Sequence, residues 1–475
     1  MADPQAPQAT KKLINLLRGW PSPSLLPAEL IKAAANKVLS DPDVYVPGLQ
    51  YGPDPGHQGL REELAQFLGG FYGADPDPER ICITGGASQS VACILQSYTE
   101  PVYTRAVWAV APCYYLACPI FEDSGFKGRL RAVPEDEEGI NLEWLEKGLE
   151  EFEAAAPDEP VYKDPSPYRK AYQHVIYVVP TCANPSGKTM SLARREGLVA
   201  LARKHDALVI CDDVYDFLTW PLSPTSSPQP PSSPQPVLSP ADPSLPRLFD
   251  IDFALGPSPH DKGGKHFGHA ISNGSFSKLI GPGIRTGWVE ATRDFAFGLA
   301  QTGSTKSGGA PSQLSATMVW EILRSGGVAA HIEGACRPAL RRRHRLMMDA
   351  VRERLGGTIE VLDSNLRGAG TYGGYFVWVT FPDGLAGREV ADRAMRDENL
   401  VVPPGEMFQV KGDEDAVRFA NSIRLCFSWE EEEDIVEGVR RLGRVVETLR
   451  KERKEGKPTS GDHAVGESGG LDDFR

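Results

Sequence analysis

The stretch that decides the fold reads Ser275-Phe-Ser-Lys278-Leu-Ile-Gly-Pro-Gly-Ile-Arg285-Thr-Gly-Trp288. Lys278 stands at the end of a predicted strand, close after Ser275 and Ser277, which is an unusual place for a solvated charge. Arg285 follows it seven residues later, after a glycine-rich turn. A lysine alone would be an ordinary surface residue. Together with the turn and the arginine, it becomes a specific pattern.

Around this stretch, short β-branched runs alternate with amphipathic helical patterns, which is typical of an α/β domain with a largely parallel sheet. From about Gly356 the pattern changes to two strands and two helices, which predicts a smaller α+β domain. The strands predicted for the larger domain are Ile81–Thr84, Ala106–Ala111, His174–Val179, Ala207–Asp212, Ala270–Ser275 and Gly287–Ala291.

These patterns divide the chain into four parts. We expect an N-terminal segment (1–45) that packs on the smaller domain, a large domain (46–330), a small C-terminal domain (331–450) and a disordered tail (451–475). Residues 221–246 contain 10 Pro and 7 Ser, a composition that cannot form a core. The segment therefore reads as a surface insertion in the large domain, with a ligand for an SH3-type domain as the alternative.

Composition excludes several classes of function. The chain has 64 acidic against 51 basic residues, so nucleic acid and anionic membranes are not expected as partners. We also expect no membrane span, because the longest apolar stretch is broken by prolines, and no secretion signal. The eight cysteines are scattered without a CxxC pair, which favours reduced thiols in the cytoplasm and no metal site.

Further segments share the order and spacing of a known family. They are Leu49-Gln-Tyr51-Gly, Gly59-Leu-Arg-Glu, Thr84-Gly-Gly-Ala-Ser88-Gln, Ala111-Pro-Cys-Tyr114, Pro180-Thr-Cys-Ala-Asn184-Pro-Ser-Gly187, Asp212-Asp-Val-Tyr215 and Ile423-Arg424-Leu-Cys-Phe-Ser. With the Lys278 stretch, they resemble the class I/II aminotransferases of fold type I, which depend on pyridoxal 5′-phosphate (PLP). The subgroup most similar to the chain contains the aminoadipate and kynurenine aminotransferases. The resemblance extends from about Ile14 to Leu449.

The resemblance implies both a fold and a cofactor. The fold is a large domain with a mostly parallel seven-stranded sheet, joined to a small α+β domain. PLP would form a Schiff base with Lys278, whose amine, once freed by the substrate, acts as the general base at Cα. Asp212 would keep the ring nitrogen protonated. Asp213 is the alternative, although strand alternation points the two side chains to opposite faces.

Other residues are assigned to the remaining parts of the cofactor. Asn184 and Tyr215 match the positions that donate to the phenolic oxygen, and Tyr114 matches the ring-stacking position, with Tyr115 as its neighbour. The phosphate would bind at a helix N-terminus and to nearby hydroxyl and guanidinium groups. Those phosphate-binding residues are Ala87, Ser88, Ser275, Ser277 and Arg285, with Tyr51 contributed by the other subunit of a homodimer.

For the substrate, the resemblance implies that the Arg424 guanidinium binds both oxygens of the α-carboxylate, with Gly19 and Asn184 beside it. Lys278, Asp212 and Tyr215 would form the catalytic set. The expected reaction moves an amino group from an L-amino acid, aromatic or similar to 2-aminoadipate, through pyridoxamine phosphate to a 2-oxo acid. No second arginine lies in a motif that would mark a dicarboxylate site. Cys113 and the insertion depart from the family pattern.

Two alternatives stay open at the level of sequence. A PLP-dependent lyase or a carbon–carbon bond-forming enzyme could use the same residues, because fold-type I enzymes share them across different reactions. A non-enzymatic regulator with an aminotransferase-like domain is the other alternative. We do not expect it, because the pattern begins by about Ile14 and leaves no room before it for a DNA-binding region.

Overall fold

Strands and helices alternate along the chain in the computed structural model, which describes residues 11–154, 159–164, 167–222, 238–240, 245–366 and 370–456. The strands are β1 (Ile14–Asn15), β2 (Ile81–Thr84), β3 (Ala106–Ala111), β4 (Leu130–Asp136), β5 (Gly139–Ile140), β6 (His174–Val178), β7 (Ala207–Asp212), β8 (Thr219–Pro221), β9 (Ala270–Ser275), β10 (Gly287–Glu290), β11 (Glu360–Val361), β12 (Thr371–Gly373), β13 (Phe376–Thr380), β14 (Leu400–Val401) and β15 (Ser422–Cys426).

The α-helices connect and cover these strands. They are α1 (Ala28–Leu39), α2 (Pro42–Gly48), α3 (Gln58–Tyr72), α4 (Ala87–Tyr98), α5 (Cys118–Phe121), α6 (Leu142–Glu153), α7 (Leu192–Lys204), α8 (Leu248–Ala254), α9 (Arg293–Ala300), α10 (Gln313–Arg324), α11 (Gly327–His331), α12 (Arg337–Leu355), α13 (Gly387–Glu398) and α14 (Glu432–Lys454). Local signals set several of their ends. Ser191, for example, caps α7 by accepting a hydrogen bond from the backbone N–H of Arg194.

A central sheet has the strand order β2-β10-β9-β7-β6-β3-β4-β5. Strand β10 runs antiparallel between β2 and β9, whereas β9, β7, β6, β3 and β4 are parallel neighbours. The sheet has eight strands rather than the expected seven, because the two-residue β5 forms a hairpin with β4 at the edge. Strands β3, β6, β7 and β9 are buried along their whole length, as expected of a sheet covered on both faces.

The direction of the strands determines where a site can form. The carboxyl ends of β2, β3, β6, β7 and β9 all lie at one edge of the sheet, because these strands run the same way. In open α/β sheets, ligands bind outside that edge. The loops that follow these strands carry most of the residues singled out from the sequence.

A smaller antiparallel sheet, in the order β11-β13-β15, lies in the C-terminal part, where α13 contacts β15 and α14 packs on α12 and α13. The N-terminal residues divide their contacts between the two parts of the molecule. Strand β1 pairs in parallel with β14 of the C-terminal part, whereas α1 contacts α10. The expected packing of residues 1–45 on the small domain therefore does not extend to α1.

Two expectations concern segments that are partly outside the described residues. Of the insertion 221–246, residues 223–237 and 241–244 are outside them, but Leu238 is described and its side chain is buried in the main hydrophobic core. The insertion is thus not wholly a surface segment, because it supplies one apolar side chain to the core. Of the tail 451–475, residues 457–475 are outside, and residues 451–454 continue α14 as its last turn.

Within the ranges described, no helix combines the length and the apolar character needed to cross a membrane.

Candidate active site

A cavity of about 240 Å³ opens at the carboxyl edge of the central sheet. Twelve of the thirteen residues predicted for the site line it: Gly19, Ala87, Ser88, Tyr114, Asn184, Asp212, Tyr215, Ser275, Ser277, Lys278, Arg285 and Arg424. The exception is Tyr51, which is 86% exposed and lies against Gly308. Residues that are far apart in sequence therefore come together in one enclosed place.

Lys278 reaches this cavity from a short 3₁₀ turn, Phe276–Lys278, that follows β9. Its Nζ donates a hydrogen bond of 2.8 Å to the backbone oxygen of Gly19 and lies 5.3 Å from the centre of the Tyr375 ring. Burial lowers the pKa of Lys278 to about 8. A substantial fraction of the amine is therefore neutral near physiological pH, which is the form that attacks a carbonyl group.

Asp212 faces the cavity from the end of β7. Its Oδ2 accepts a hydrogen bond of 2.7 Å from the Tyr177 hydroxyl, and its buried Oδ1 has no partner within the described residues. Burial raises the pKa of Asp212 to about 6. Asp213 is also buried, and its Oδ2 accepts a hydrogen bond of 2.5 Å from Ser272 Oγ. Of the two carboxylates, only Asp212 lines the cavity.

Arg424 enters from the smaller part of the molecule, on β15. Its Nη1 donates a 2.8 Å hydrogen bond to Asn184 Oδ1, and its Nη2 donates to the backbone oxygen of Leu17. The guanidinium carbon lies 4.1 Å and 4.7 Å from the ring centres of Phe376 and Phe408. These contacts hold a buried, planar cation at the wall of the cavity.

The loop after β2 and the Lys278 stretch together form a concave anion site. Gly86 adopts φ +104° immediately before α4, and a Cβ atom there would lie 2.6 Å from Arg285 Nη2. Arg285 donates from Nη2 to the Gly85 oxygen at 2.6 Å and from Nη1 to Ser277 Oγ at 3.4 Å. Backbone amides at a helix start, hydroxyls and a guanidinium are the groups that bind phosphate.

Aromatic residues line the rest of the cavity. Tyr215 is buried, which raises the pKa of its hydroxyl, and its ring is 5.5 Å from that of Tyr375. Tyr114 and Tyr115 both line the cavity. Gly19 is required where it stands, because a Cβ atom there would lie 2.7 Å from Phe376 Cζ.

Sequence reasoning missed several residues of the cavity, above all Arg18. The Arg18 guanidinium carbon lies 4.8 Å and 4.9 Å from the ring centres of Trp20 and Trp429. Its buried Nε has no hydrogen-bond partner within the described residues. Tyr177, the partner of Asp212, was also missed. The one available signal for Tyr177 was its position two residues before the end of the predicted strand at 174–179. Arg18 had no such signal, because it lies in an irregular segment.

The groups in the cavity fit PLP. A reactive amine suits its aldehyde, a buried carboxylate with a free oxygen suits its protonated ring nitrogen, and the anion site suits its phosphate. In contrast, the described residues contain no group of His, Cys, Asp and Glu that could hold a metal ion. The fold and the site therefore define a fold-type I PLP enzyme.

Comparisons with known proteins identify the family within this class. The model of the family "Aminotransferase class I and II" matches residues 23–442. The uncharacterized protein YER152C of Saccharomyces cerevisiae is 33% identical over 463 residues, covering 92% of this chain and 97% of that protein. Aromatic-amino-acid aminotransferase 1 of Thermococcus litoralis is 26% identical, covering 94% of this chain and 90% of that protein.

Solved structures agree with these sequence matches. The kynurenine aminotransferase of Pyrococcus horikoshii, solved in complex with PMP, has a TM-score of 0.71 and 27% sequence identity. The match covers 93% of this chain and 92% of that chain. The chain belongs to the class I and II aminotransferases. It is a PLP-dependent transaminase, an enzyme that acts on an amino acid and a 2-oxo acid.

Proposed function

We propose that this transaminase uses Lys278 to bind PLP covalently and to move the Cα proton of an L-amino acid that is aromatic or similar to 2-aminoadipate. The observation that carries the proposal is the Lys278 amine itself, which lies inside the cavity with its pKa lowered to about 8. When bound, PLP supplies an electron sink for the carbanion left at Cα. The chain supplies the base that takes the proton and later returns it, and a 2-oxo acid takes up the amino group.

The other residues have supporting roles in this proposal. Asp212 would hold the proton on the ring nitrogen. Burial alone favours the neutral carboxyl group, but the positively charged ring nitrogen beside it would favour the ionised carboxylate. Asn184 and Tyr215 would donate to the phenolic oxygen, and Tyr114 would pack on the ring. Ala87, Ser88, Ser275, Ser277 and Arg285 would bind the phosphate, as their arrangement around the start of α4 supports.

The substrate would bind between the cofactor and the wall that carries Arg424. Arg424 and Gly19 would hold its α-carboxylate, because a planar guanidinium can bind both oxygens of a carboxylate. Trp20 and Phe376 also line the cavity, which supports an aromatic side chain. Arg18 supports an acidic one. The curated relative from Thermococcus litoralis, named an aromatic-amino-acid aminotransferase, agrees with the first possibility.

Borohydride reduction of the holoenzyme followed by peptide mapping tests the proposal. A single pyridoxyl group should be found on Lys278, and it should be absent after Lys278→Ala. Lys188→Ala is the matched control, because Lys188 donates to the Asp136 oxygen, is paired with Glu135 and does not line the cavity. A label on another lysine, or no label, contradicts the assignment.

A panel of amino acids and 2-oxo acids tests the substrates. Transamination should yield a 2-oxo acid and a new amino acid in equal amounts, with aromatic and acidic donors giving the highest kcat/KM. Release of free ammonia instead would indicate the lyase alternative.

We also propose that the enzyme is a homodimer located in the cytoplasm, in which Tyr51 reaches the phosphate site of the partner subunit. The high exposure of Tyr51 on the single chain supports a role at an interface. Sedimentation should give twice the chain mass, and Tyr51→Phe should weaken PLP binding. A monomer that binds PLP at full affinity contradicts the shared site, and imaging of a fluorescent fusion tests the location.

A further inference from the structure

A second cavity, of about 980 Å³, lies along helix α12, outside the active site. It is unusually basic for a chain with a net charge of −13. Five arginines line it, against two carboxylates, Glu333 and Asp363; the arginines are Arg337, Arg341, Arg342, Arg345 and Arg352. This local excess of positive charge needs an explanation that the transaminase reaction does not give.

The helical periodicity of α12 places four of these arginines on one face. At 100° per residue, Arg337, Arg341, Arg345 and Arg352 fall within an arc of about 80°. With a rise of about 1.5 Å per residue, they form a stripe about 22 Å long. Neighbouring members four residues apart are about 6 Å apart along the axis. Such a row suits a ligand that carries more than one negative group.

The arginines are not all used by the protein. Arg337 is fully engaged, with hydrogen bonds to the Phe217 oxygen, to Glu333 and to the Ser239 oxygen. Arg352 has only long contacts of 3.3 Å and 3.4 Å to two carboxylates. Arg345 is exposed and makes neither an ion pair nor a side-chain hydrogen bond within the described residues. Part of the positive charge is therefore available to a ligand.

Two buried side chains in the same cavity lack partners. The Nε1 of Trp220 and the Nε2 of His344 are buried and have no hydrogen-bond partner in the described part of the chain. Both residues line the cavity and are 3% and 4% exposed. The His344 ring stacks on Tyr372 with centres 3.8 Å apart, which fixes its orientation. An unpaired buried indole N–H is costly, and a ligand oxygen that reaches it would satisfy it.

We propose that the α12 cavity is a binding site for an anion with two or more phosphate groups. Most of the polar side chains that line it are hydrogen-bond donors, five of them arginines, and the indole nitrogen is a donor only. Guanidinium groups bind phosphate oxygens through two parallel hydrogen bonds, and a diphosphate or polyphosphate can contact successive arginines of the stripe. This ligand is distinct from the PLP phosphate, whose proposed site is at the start of α4.

Calorimetric titration of the PLP-saturated enzyme with inorganic pyrophosphate at low ionic strength tests the proposal. Wild-type enzyme should bind one pyrophosphate per chain, and added salt should weaken the binding. Arg345→Gln removes an exposed, unpaired charge without disturbing the core and should weaken binding by about tenfold, the effect of losing one charge-assisted contact. Arg396→Gln is the matched control, because Arg396 is an exposed arginine of α13 that is paired with Asp397 outside the cavity.

A second variant tests the buried nitrogen. Trp220→Phe keeps an aromatic ring but removes the N–H, so it should weaken pyrophosphate binding several-fold with little loss of thermal stability. Absence of pyrophosphate binding at millimolar concentration overturns the proposal. Equal affinities in wild type and Arg345→Gln, or equal losses in Arg345→Gln and Arg396→Gln, overturn it too. Binding of citrate as tight as that of pyrophosphate overturns the assignment to phosphate.

Discussion

The two walls of the active-site cavity are built in different ways. On the sheet side, Asn184, Asp212 and Lys278 lie in or next to loops that directly follow parallel strands, where a single backbone direction places them. The other wall includes Arg18 and Arg424, which come from the two ends of the chain and are brought to the same cavity by tertiary packing, such as the hydrogen bond from Arg424 to the Leu17 oxygen. The wall proposed to face the cofactor thus depends on local motifs, and the wall proposed to face the substrate on long-range contacts.

This difference suggests that one wall carries out the reaction and the other selects the substrate. Changes in the sheet wall should abolish the reaction for every substrate, because they act on the cofactor. Changes in the opposite wall should alter which substrates react and how tightly they bind. The variants below test this division, from the largest expected effect to the smallest.

Lys278→Ala should have the largest effect. It removes the proposed covalent attachment point and the proposed base at Cα, so kcat should fall by about 10⁴-fold or more for all donors. Initial rates with an aromatic and an acidic donor measure the loss, with Lys188→Ala as the control near full activity. A loss of kcat with only one of the two donors would contradict the idea that this wall acts on every substrate alike.

Asp212→Asn should reduce kcat by several orders of magnitude with all donors, because a neutral amide cannot hold a proton on the ring nitrogen. Asp213→Asn is the matched control, since Asp213 is a buried neighbour that does not line the cavity. It should keep most of the activity. Comparable losses of kcat in both variants would mean that the assignment of Asp212 as the partner of the ring nitrogen is wrong.

The same Asp212 variant has a second, pH-dependent consequence for the cofactor-free protein. The pKa of Asp212 is raised from 3.8 to about 6 on folding, so the folded state binds more protons than the unfolded state between these values. The wild-type protein therefore loses stability as pH rises from about 4 to 6. Asp212→Asn should be more stable than wild type above pH 6, by about 3 kcal/mol at most, and the gain should vanish near pH 4. Denaturant unfolding at both pH values measures it, and a pH-independent difference would contradict the linkage.

Arg424→Lys should raise KM for amino acids, with a loss of about 1.5–3 kcal/mol in apparent affinity. The ammonium keeps the charge but cannot bind both carboxylate oxygens or pack between Phe376 and Phe408. Amines without a carboxylate should react as well as with wild type, and the borohydride label on Lys278 should remain. An equal loss toward amines and amino acids would make Arg424 a structural residue.

Arg18→Gln should have the smallest and most selective effect. For glutamate or 2-aminoadipate, kcat/KM should fall by about tenfold, the scale of one hydrogen bond to a charged group, whereas aromatic donors should change by less than about twofold. Arg388→Gln, which alters an exposed arginine paired with Glu406 away from the cavity, is the control. If aromatic donors are affected equally, Arg18 does not select acidic side chains.

The same division explains what could be predicted from the sequence. Periodicity and strand-end motifs predicted six strands of the central sheet and placed Lys278 at a strand end, because these features depend on neighbouring residues. They missed β4 and the pairing of β1 with β14. Arg18 was missed for the same reason: nothing local marks it, and its position follows from packing against Trp429, far along the chain.

The pairing of β1 with β14 also bears on how the protein is made. Ile14 emerges early from the ribosome, but its partner Leu400 is about 390 positions further along the chain. The oxygen of Leu16 must likewise wait for the N–H of Cys426. At roughly 5–20 residues per second, this delay amounts to roughly 20–80 s of translation. The central sheet can therefore form first, and the nascent chain completes its substrate-facing wall only when synthesis is nearly finished.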